Sequence, residues 1–178
     1  MGPGSGIVCD ISLNTKLNRE QRDRYQNIRE IREIIAGAKT IAIVGLSAEK
    51  TKASNMVASY LQDEGFRVIP VNPRSKEILG EICYPNLKSI PVPVDVVDIF
   101  RPAFEVAAIV DEAIAIHAKA VWMQLRIIDL ESAERAQNAG LKAVVDKCVK
   151  MEHGRFGGML HWAGMNTEVI SAKRRKWS

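Results

Sequence analysis

The hydrophobic rhythm of the chain changes near residue 38. Upstream, residues 18–36 place Tyr25, Ile28, Ile31 and Ile35 at intervals of three and four with charges on the other faces, which predicts one amphipathic helix. Asn18 and Gln21 supply a capping box at its start, and Gly37 supplies a stop. Downstream, short β-branched runs at 40–45, 67–72, 94–100, 119–123 and 142–145 alternate with amphipathic stretches at 54–64, 103–117 and 130–139. Repetition of strand, helix and strand predicts crossover units and a parallel sheet buried on both faces.

Two stretches break the alternation. Residues 73–93, with prolines at 73, 85, 91 and 93, are expected to cross the sheet edge as a loop with little regular structure. Residues 154–178 read as a C-terminal extension wrapping the core or meeting a neighbour, because Phe156, Met159, Leu160, Trp162 and Met165 argue against free disorder. The expected layout is a cloning remnant and amphipathic helix over 1–37, a folded domain over 38–153, and the extension with its basic tail.

Composition narrows the class. At 178 residues and 47% hydrophobic, the chain suffices for one sizeable core and is too short for two full catalytic domains. The formal charge of +4 comes from the tail: Lys173, Arg174, Arg175 and Lys176 carry it, and the remaining Lys and Arg balance the 21 Asp and Glu. A neutral body gives no footprint for nucleic acid. Cys9, Cys83 and Cys148 are odd in number and far apart, without metal-ligand spacing, so neither a disulfide framework nor a zinc site is expected. No apolar run reaches the ~18 residues of a membrane span. A cytoplasmic protein is the expectation.

In an open parallel sheet the ligand crevice lies beyond the carboxyl ends of the strands. The first such loop runs Gly45, Leu46, Ser47, Ala48 and on through Lys52 to Ser54. Gly45 permits a sharp turn, Ser47 offers a hydroxyl and backbone amides, and the following helix presents unpaired N–H groups, which together make an anion cradle. Against the dinucleotide fingerprint G-x-G-x-x-G, the second and third glycines are replaced by Ser47 and Lys50. The second loop, Asn72, Pro73, Arg74, Ser75 and Lys76, has an amide and two cations where an NAD site places an acid. That disfavours NAD and suits a phosphate on the adenosine ribose, as in NADP or coenzyme A. The third and fourth loops offer Phe100, Arg101 and Pro102, then Met123, Gln124 and Leu125. Pro102, read as a first-turn residue, is expected to leave Phe100 and Arg101 extended toward the crevice rim.

Catalytic patterns are absent from the reading. His117 falls near a helix end as a capping or surface group, His153 and His161 sit near the C-terminus, and Cys148 has no identifiable base partner.

Taken together, these loops resemble one family, the small CoA-binding domain proteins related to the nucleotide-binding domain of the succinyl-CoA synthetase α subunit. The residues carrying the resemblance are Ile41 to Ser47, Val68 to Pro73, Ile78 to Glu81 with Cys83, Tyr84 and Pro85, Asp98 to Arg101, Ala120 to Leu125, and Asp146 to Cys148. The match spans roughly 38–153. It implies a Rossmann-like, doubly wound, mainly parallel five-stranded sheet that binds coenzyme A or an acyl-CoA. By position, Gly45 to Ala48 would hold the pyrophosphate, Asn72 to Lys76 the adenosine and its 3′-phosphate, Phe100 to Pro102 the adenine side, and Met123 to Leu125 the mouth toward the pantetheine. The synthetase works through a phosphohistidine in a second domain that this chain does not carry, so binding without catalysis is implied. The family pattern has Arg-Pro-Ser-Tyr where this chain has Lys52, Ala53, Ser54 and Asn55, leaving Ser54 as the expected N-cap, and glycine where it has Arg126. Two alternatives stand beside it: an NADP-dependent reductase or a CoA-dependent transferase using Cys148, and a ligand-sensing adaptor that docks, or self-associates, through the N-terminal helix and the C-terminal extension.

Overall fold

Residues 16–156 are described in the computed structural model of the chain. Five strands form one parallel sheet: β1 (Thr40–Val44), β2 (Arg67–Val71), β5 (Val96–Ile99), β6 (Ala120–Met123) and β7 (Lys142–Val144), in the order β2-β1-β5-β6-β7. The helices between them are α3 (Ala53–Asp63), α4 (Ala103–Ala115) and α5 (Leu130–Asn138). The order reverses between β1 and β5, so the Gly45 turn and the Phe100 turn leave neighbouring strands in opposite directions and open a crevice between them.

Alternate strand residues feed two cores. Ala42, Val97, Val121 and Ala143 pack beneath α4 and α5, whereas Ile41, Ile43, Val96, Trp122 and Val144 pack beneath α3 and α6 (Val149–Phe156). Burial on both faces is why the strands read as continuous apolar runs. Trp122 is fully buried, and its indole N–H donates to the Lys147 carbonyl at 2.7 Å, tying β6 to the turn after β7.

Three sequence expectations change. The N-terminal helix is two helices, α1 (Arg19–Tyr25) and α2 (Ile28–Gly37). Asn27 ends the continuity by capping α2, its side-chain oxygen accepting from Arg29 and Glu30 N–H at 3.0 and 3.2 Å, and Gln26 donates to the Val145 carbonyl at 3.0 Å. The break has a packing cause: Tyr25 joins the core under α4 and α5, while Ile31 and Ile34, not Ile35, are buried on the opposite side. A straight helix could not reach both faces around the β7 edge. The predicted capping box of Asn18 and Gln21 is present.

The segment 73–93 is more ordered than its prolines suggest. It holds an antiparallel hairpin, β3 (Glu77–Ile78) with β4 (Glu81–Ile82), and a 3-10 turn at Leu87–Ser89 capped by Asn86. Tyr84 exchanges backbone hydrogen bonds with β2, donating to Pro70 and accepting from Asn72, both at 2.9 Å. Finally, α6 runs to Phe156, so the expected boundary at 153 falls inside a helix. The remainder of the extension, the basic tail and Cys9 lie outside the described residues. Among the described residues, no helix is long and apolar enough to cross a membrane.

Candidate functional site

A cavity of about 460 Å³ opens at the carboxyl ends of β1 and β2, on the α4 side of the sheet. Val44 and Val71 floor it, and Gly45, Ser47, Pro73, Arg74 and Arg101 form its rim. This volume lies within the range of small-molecule sites. A larger open groove of about 860 Å³ follows the α1–α2 junction and is lined by residues of those two helices and the turn between them.

Gly45 is required by the backbone. Its φ is +87°, and a Cβ there would stand 2.9 Å from the Phe100 carbonyl oxygen and 2.7 Å from Arg101 Cδ. The turn therefore packs bare backbone against the β5 loop, which leaves no room for a side chain at this position. Beside it begin α3 and α4, whose N-caps, Lys52 and Pro102, make no side-chain cap hydrogen bond. The first-turn N–H groups of two helices thus flank the Gly45 turn without side-chain acceptors, a setting that favours an anion.

Several predicted contacts are used by the protein itself. Ser54 is not the N-cap of α3; it lies inside the helix, buried, and its Oγ accepts from Ser47 N–H at 3.1 Å. Ser47 Oγ accepts from Glu49 N–H at 3.1 Å, which leaves the hydroxyl proton to donate outward. Asn72 is a strut between the two loops: its amide donates to the Leu46 carbonyl at 2.9 Å and its side-chain oxygen accepts from Arg74 N–H at 2.9 Å. Leu46 and Met123 are fully buried in the core. Phe100 packs with the α3 and α6 core rather than toward the cavity. Pro102 holds the N-cap of α4, one position earlier than the expected first turn. Ala48, Lys76 and Leu125 are exposed and Ser75 half-buried, all outside the cavity, and the exposed Lys52 pairs with Glu49 at 3.7 Å. Of the seventeen residues anticipated for the site, Gly45, Ser47, Asn72, Pro73, Arg74 and Arg101 line the cavity.

The outer wall was not anticipated. Pro85, Asn86 and Leu87 close one side, and α4 supplies Glu105, Ala108, Ile109 and Glu112. Those four recur at three, four and seven, one helix face, a signal present in the sequence. Glu112 accepts from Leu87 N–H at 2.9 Å and pins the 3-10 turn. Glu105 grips Arg101 in a two-pronged pair, Nε to Oε2 at 2.8 Å and Nη2 to Oε1 at 2.6 Å. That hydrogen bonding holds the Arg101 guanidinium above its usual value and the Glu105 carboxyl below its own. The cation nearest the cradle is thus paired in advance.

On the other face of the sheet edge, Asp98 on β5 is fully buried. Its Oδ1 accepts from Gln124 Nε2 at 2.8 Å, whereas Oδ2 has no partner among the described residues. Burial pushes its carboxyl up to about 7. Arg126 takes φ +67°, and its N–H donates to Asp146 Oδ1 at 2.7 Å. A left-handed residue there explains why glycine suits this position.

Comparison with known proteins assigns the class. Residues 39–154 match the CoA binding domain family. YneT, an uncharacterized protein of Bacillus subtilis (strain 168), is 35% identical over 124 residues, covering 70% of this chain and 92% of its own. A hypothetical protein from Pyrococcus horikoshii OT3 has a solved structure that superposes with a TM-score of 0.70 at 35% identity, covering 88% of this chain and 99% of that one. The similarity also reaches acetate–CoA ligase (ADP-forming) I of Archaeoglobus fulgidus, 32% identical over 123 residues, but there it spans 64% of this chain and only 18% of the ligase. The chain belongs to the CoA-binding domain family.

Proposed function

We propose that the protein binds coenzyme A or an acyl-CoA at this carboxyl edge and catalyses no acyl transfer of its own. The observation that carries the reading is the Gly45 turn, open to the 460 Å³ cavity and flanked by two helix N-termini without side-chain caps. The diphosphate rests on Gly45 and Ser47, with the Ser47 hydroxyl and Arg101 as donors. The adenosine lies in the cavity between the Pro73–Arg74 loop and α4, with Arg74 at the ribose phosphate. The pantetheine leaves past Gln124. An acyl-CoA satisfies the same contacts as the free thiol, since the nucleotide supplies most of them.

Parallel titrations with CoA, dephospho-CoA and NADP test this. CoA should bind at one site per chain, dephospho-CoA about tenfold more weakly for loss of one partly exposed charge-assisted contact, and NADP more weakly still. Equal binding of dephospho-CoA would remove the role given to Arg74. Tighter binding of NADP would replace the CoA reading with the reductase alternative.

A further inference from the structure

The cavity carries two polar side chains that the diphosphate cradle does not use. Glu112, on α4, and Asn86, just ahead of the 3-10 turn, both line it. Each commits one oxygen to that turn: Glu112 Oε2 accepts from Leu87 N–H at 2.9 Å, and Asn86 Oδ1 accepts from Ser89 N–H at 3.0 Å. The turn therefore fixes which atom of each side chain is left over. For Asn86 it is the amide Nδ2, a donor only, and for Glu112 it is Oε1, an acceptor; neither has a protein partner among the described residues. A donor and an acceptor are thus held at one turn of the cavity wall.

Their surround is apolar. Ala108 and Ile109 stand one turn before Glu112 on the same α4 face, and Pro85 and Leu87 flank Asn86. Glu112 forms no ion pair among the described residues, so its end of the cavity repels a phosphate and suits a flat, neutral ring with a polar edge. Spacing agrees. Arg101, which packs on Gly45, is paired with Glu105, and Glu112 lies seven residues further along α4, about 10.5 Å at the usual helical rise. An extended adenosine 5′-phosphate spans a similar distance from phosphorus to its 6-amino nitrogen, about 10 Å or three extended residues. A nucleotide with its diphosphate at the Gly45 turn therefore brings the edge of its base to Glu112.

We infer that Glu112 and Asn86 read the base of the bound nucleotide and select a 6-aminopurine over a 6-oxopurine. This rests on the CoA reading above and names the atoms that set its base specificity. Adenine presents an N–H donor at its 6-position beside a ring-nitrogen acceptor, complementary to Glu112 Oε1 and Asn86 Nδ2. Guanine and hypoxanthine present a carbonyl oxygen at that position, which meets the carboxylate lone pair to lone pair with no proton between them. The wrong base leaves the carboxylate unpaired and its water displaced, which is how a polar site rejects a close analogue.

The test titrates the full chain calorimetrically with CoA and with its deaminated analogue, in which hypoxanthine replaces adenine. The wild type should bind the analogue about tenfold more weakly or worse, the discrimination that a matched donor and acceptor supply. In Glu112→Gln the amide oxygen keeps the Leu87 N–H and the NH2 takes the place of Oε1, so a donor stands where an acceptor stood. The preference should vanish or reverse, with CoA weakened and the analogue strengthened. Asn86→Asp keeps an oxygen for Ser89 and removes the donor, and it should weaken CoA about tenfold. Equal binding of the two forms by the wild type overturns the inference and spares the CoA reading. So does an equal weakening of both forms in Glu112→Gln, the result expected of a side chain that only holds the 3-10 turn. The wild-type ratio and Asn86→Asp decide the matter if Glu112→Gln melts early. Failure of the wild type to bind either form removes both the inference and the CoA reading.

Discussion

Replacing Glu105 with glutamine should weaken the fold slightly and strengthen CoA binding. In the free protein Glu105 holds Arg101 through two short hydrogen bonds, with side-chain exposures of 32% and 45%. A pair this exposed contributes only about 0.2 to 1 kcal/mol, because water screens it. Glu105 also sits in the first turn of α4, where its charge complements the helix dipole by about 0.3 to 1 kcal/mol. Glu105→Gln should therefore cost about 1 kcal/mol in thermal or urea unfolding. Binding moves the other way. With the two diphosphate charges taken at about 8 Å, the carboxylate opposes the ligand by about 1 kcal/mol in all in water-like screening, so its removal should tighten CoA about fivefold. Arg101, freed from its partner, adds to the gain. Calorimetric titration at low salt reads this directly, and the gain should shrink at high salt as the Debye length falls below the separation. Unchanged or weaker CoA binding by a variant that melts as expected would refute the placement of the diphosphate beside Arg101.

Gly45→Ala should lose about 2 to 3 kcal/mol, since the left-handed backbone is strained for alanine and the new Cβ meets the Phe100 carbonyl at 2.9 Å. Gly80→Ala, at φ +77° with nothing within 4 Å of its Cβ, should lose about 1 kcal/mol and serves as the reference in urea unfolding. Asp98 should make stability fall as pH rises. Its folded-state proton affinity is raised, so the unfolded chain releases the proton from about pH 4 upward while the native chain holds it to about 7, and the penalty is complete above that. Asp98→Asn should match the wild type near pH 4 and exceed it by about 4 kcal/mol at pH 8, measured by urea unfolding across that range. A stability difference that does not grow with pH would contradict a buried carboxyl with one oxygen unpartnered among the described residues.

The sheet was legible because each strand is an apolar run, buried on both faces, bounded by turn residues. The carboxyl-edge loops were legible for the same reason: once the strands are placed, Gly45, Arg74 and Arg101 fall at their ends. What escaped the reading depends on partners distant in sequence. The periodicity of residues 18–36 continues through Gln26 and Asn27, and the contacts of Tyr25 and of Ile31 with opposite cores, together with the Asn27 cap, divide it into two helices. Glu112 meets the Leu87 N–H across 25 residues, which no local pattern announces, whereas Arg101 and Glu105 stand at i,i+4, a local signal present in the sequence. Asn72 and Ser54 were read as ligand groups because a polar side chain in a loop can serve a ligand or a neighbouring backbone, and the choice depends on which backbone arrives. Asp98, on a strand of otherwise apolar residues, was quoted only as part of a motif.

The most direct test of the account is the native mass of the full chain mixed with CoA under reducing conditions, beside Arg74→Ala and Arg101→Ala variants of unchanged melting behaviour. The account predicts one CoA per chain on the wild type, displaced by excess CoA analogue lacking sulfur, and reduced occupancy on each variant. A wild-type chain that remains at its apo mass with CoA in large excess would contradict it.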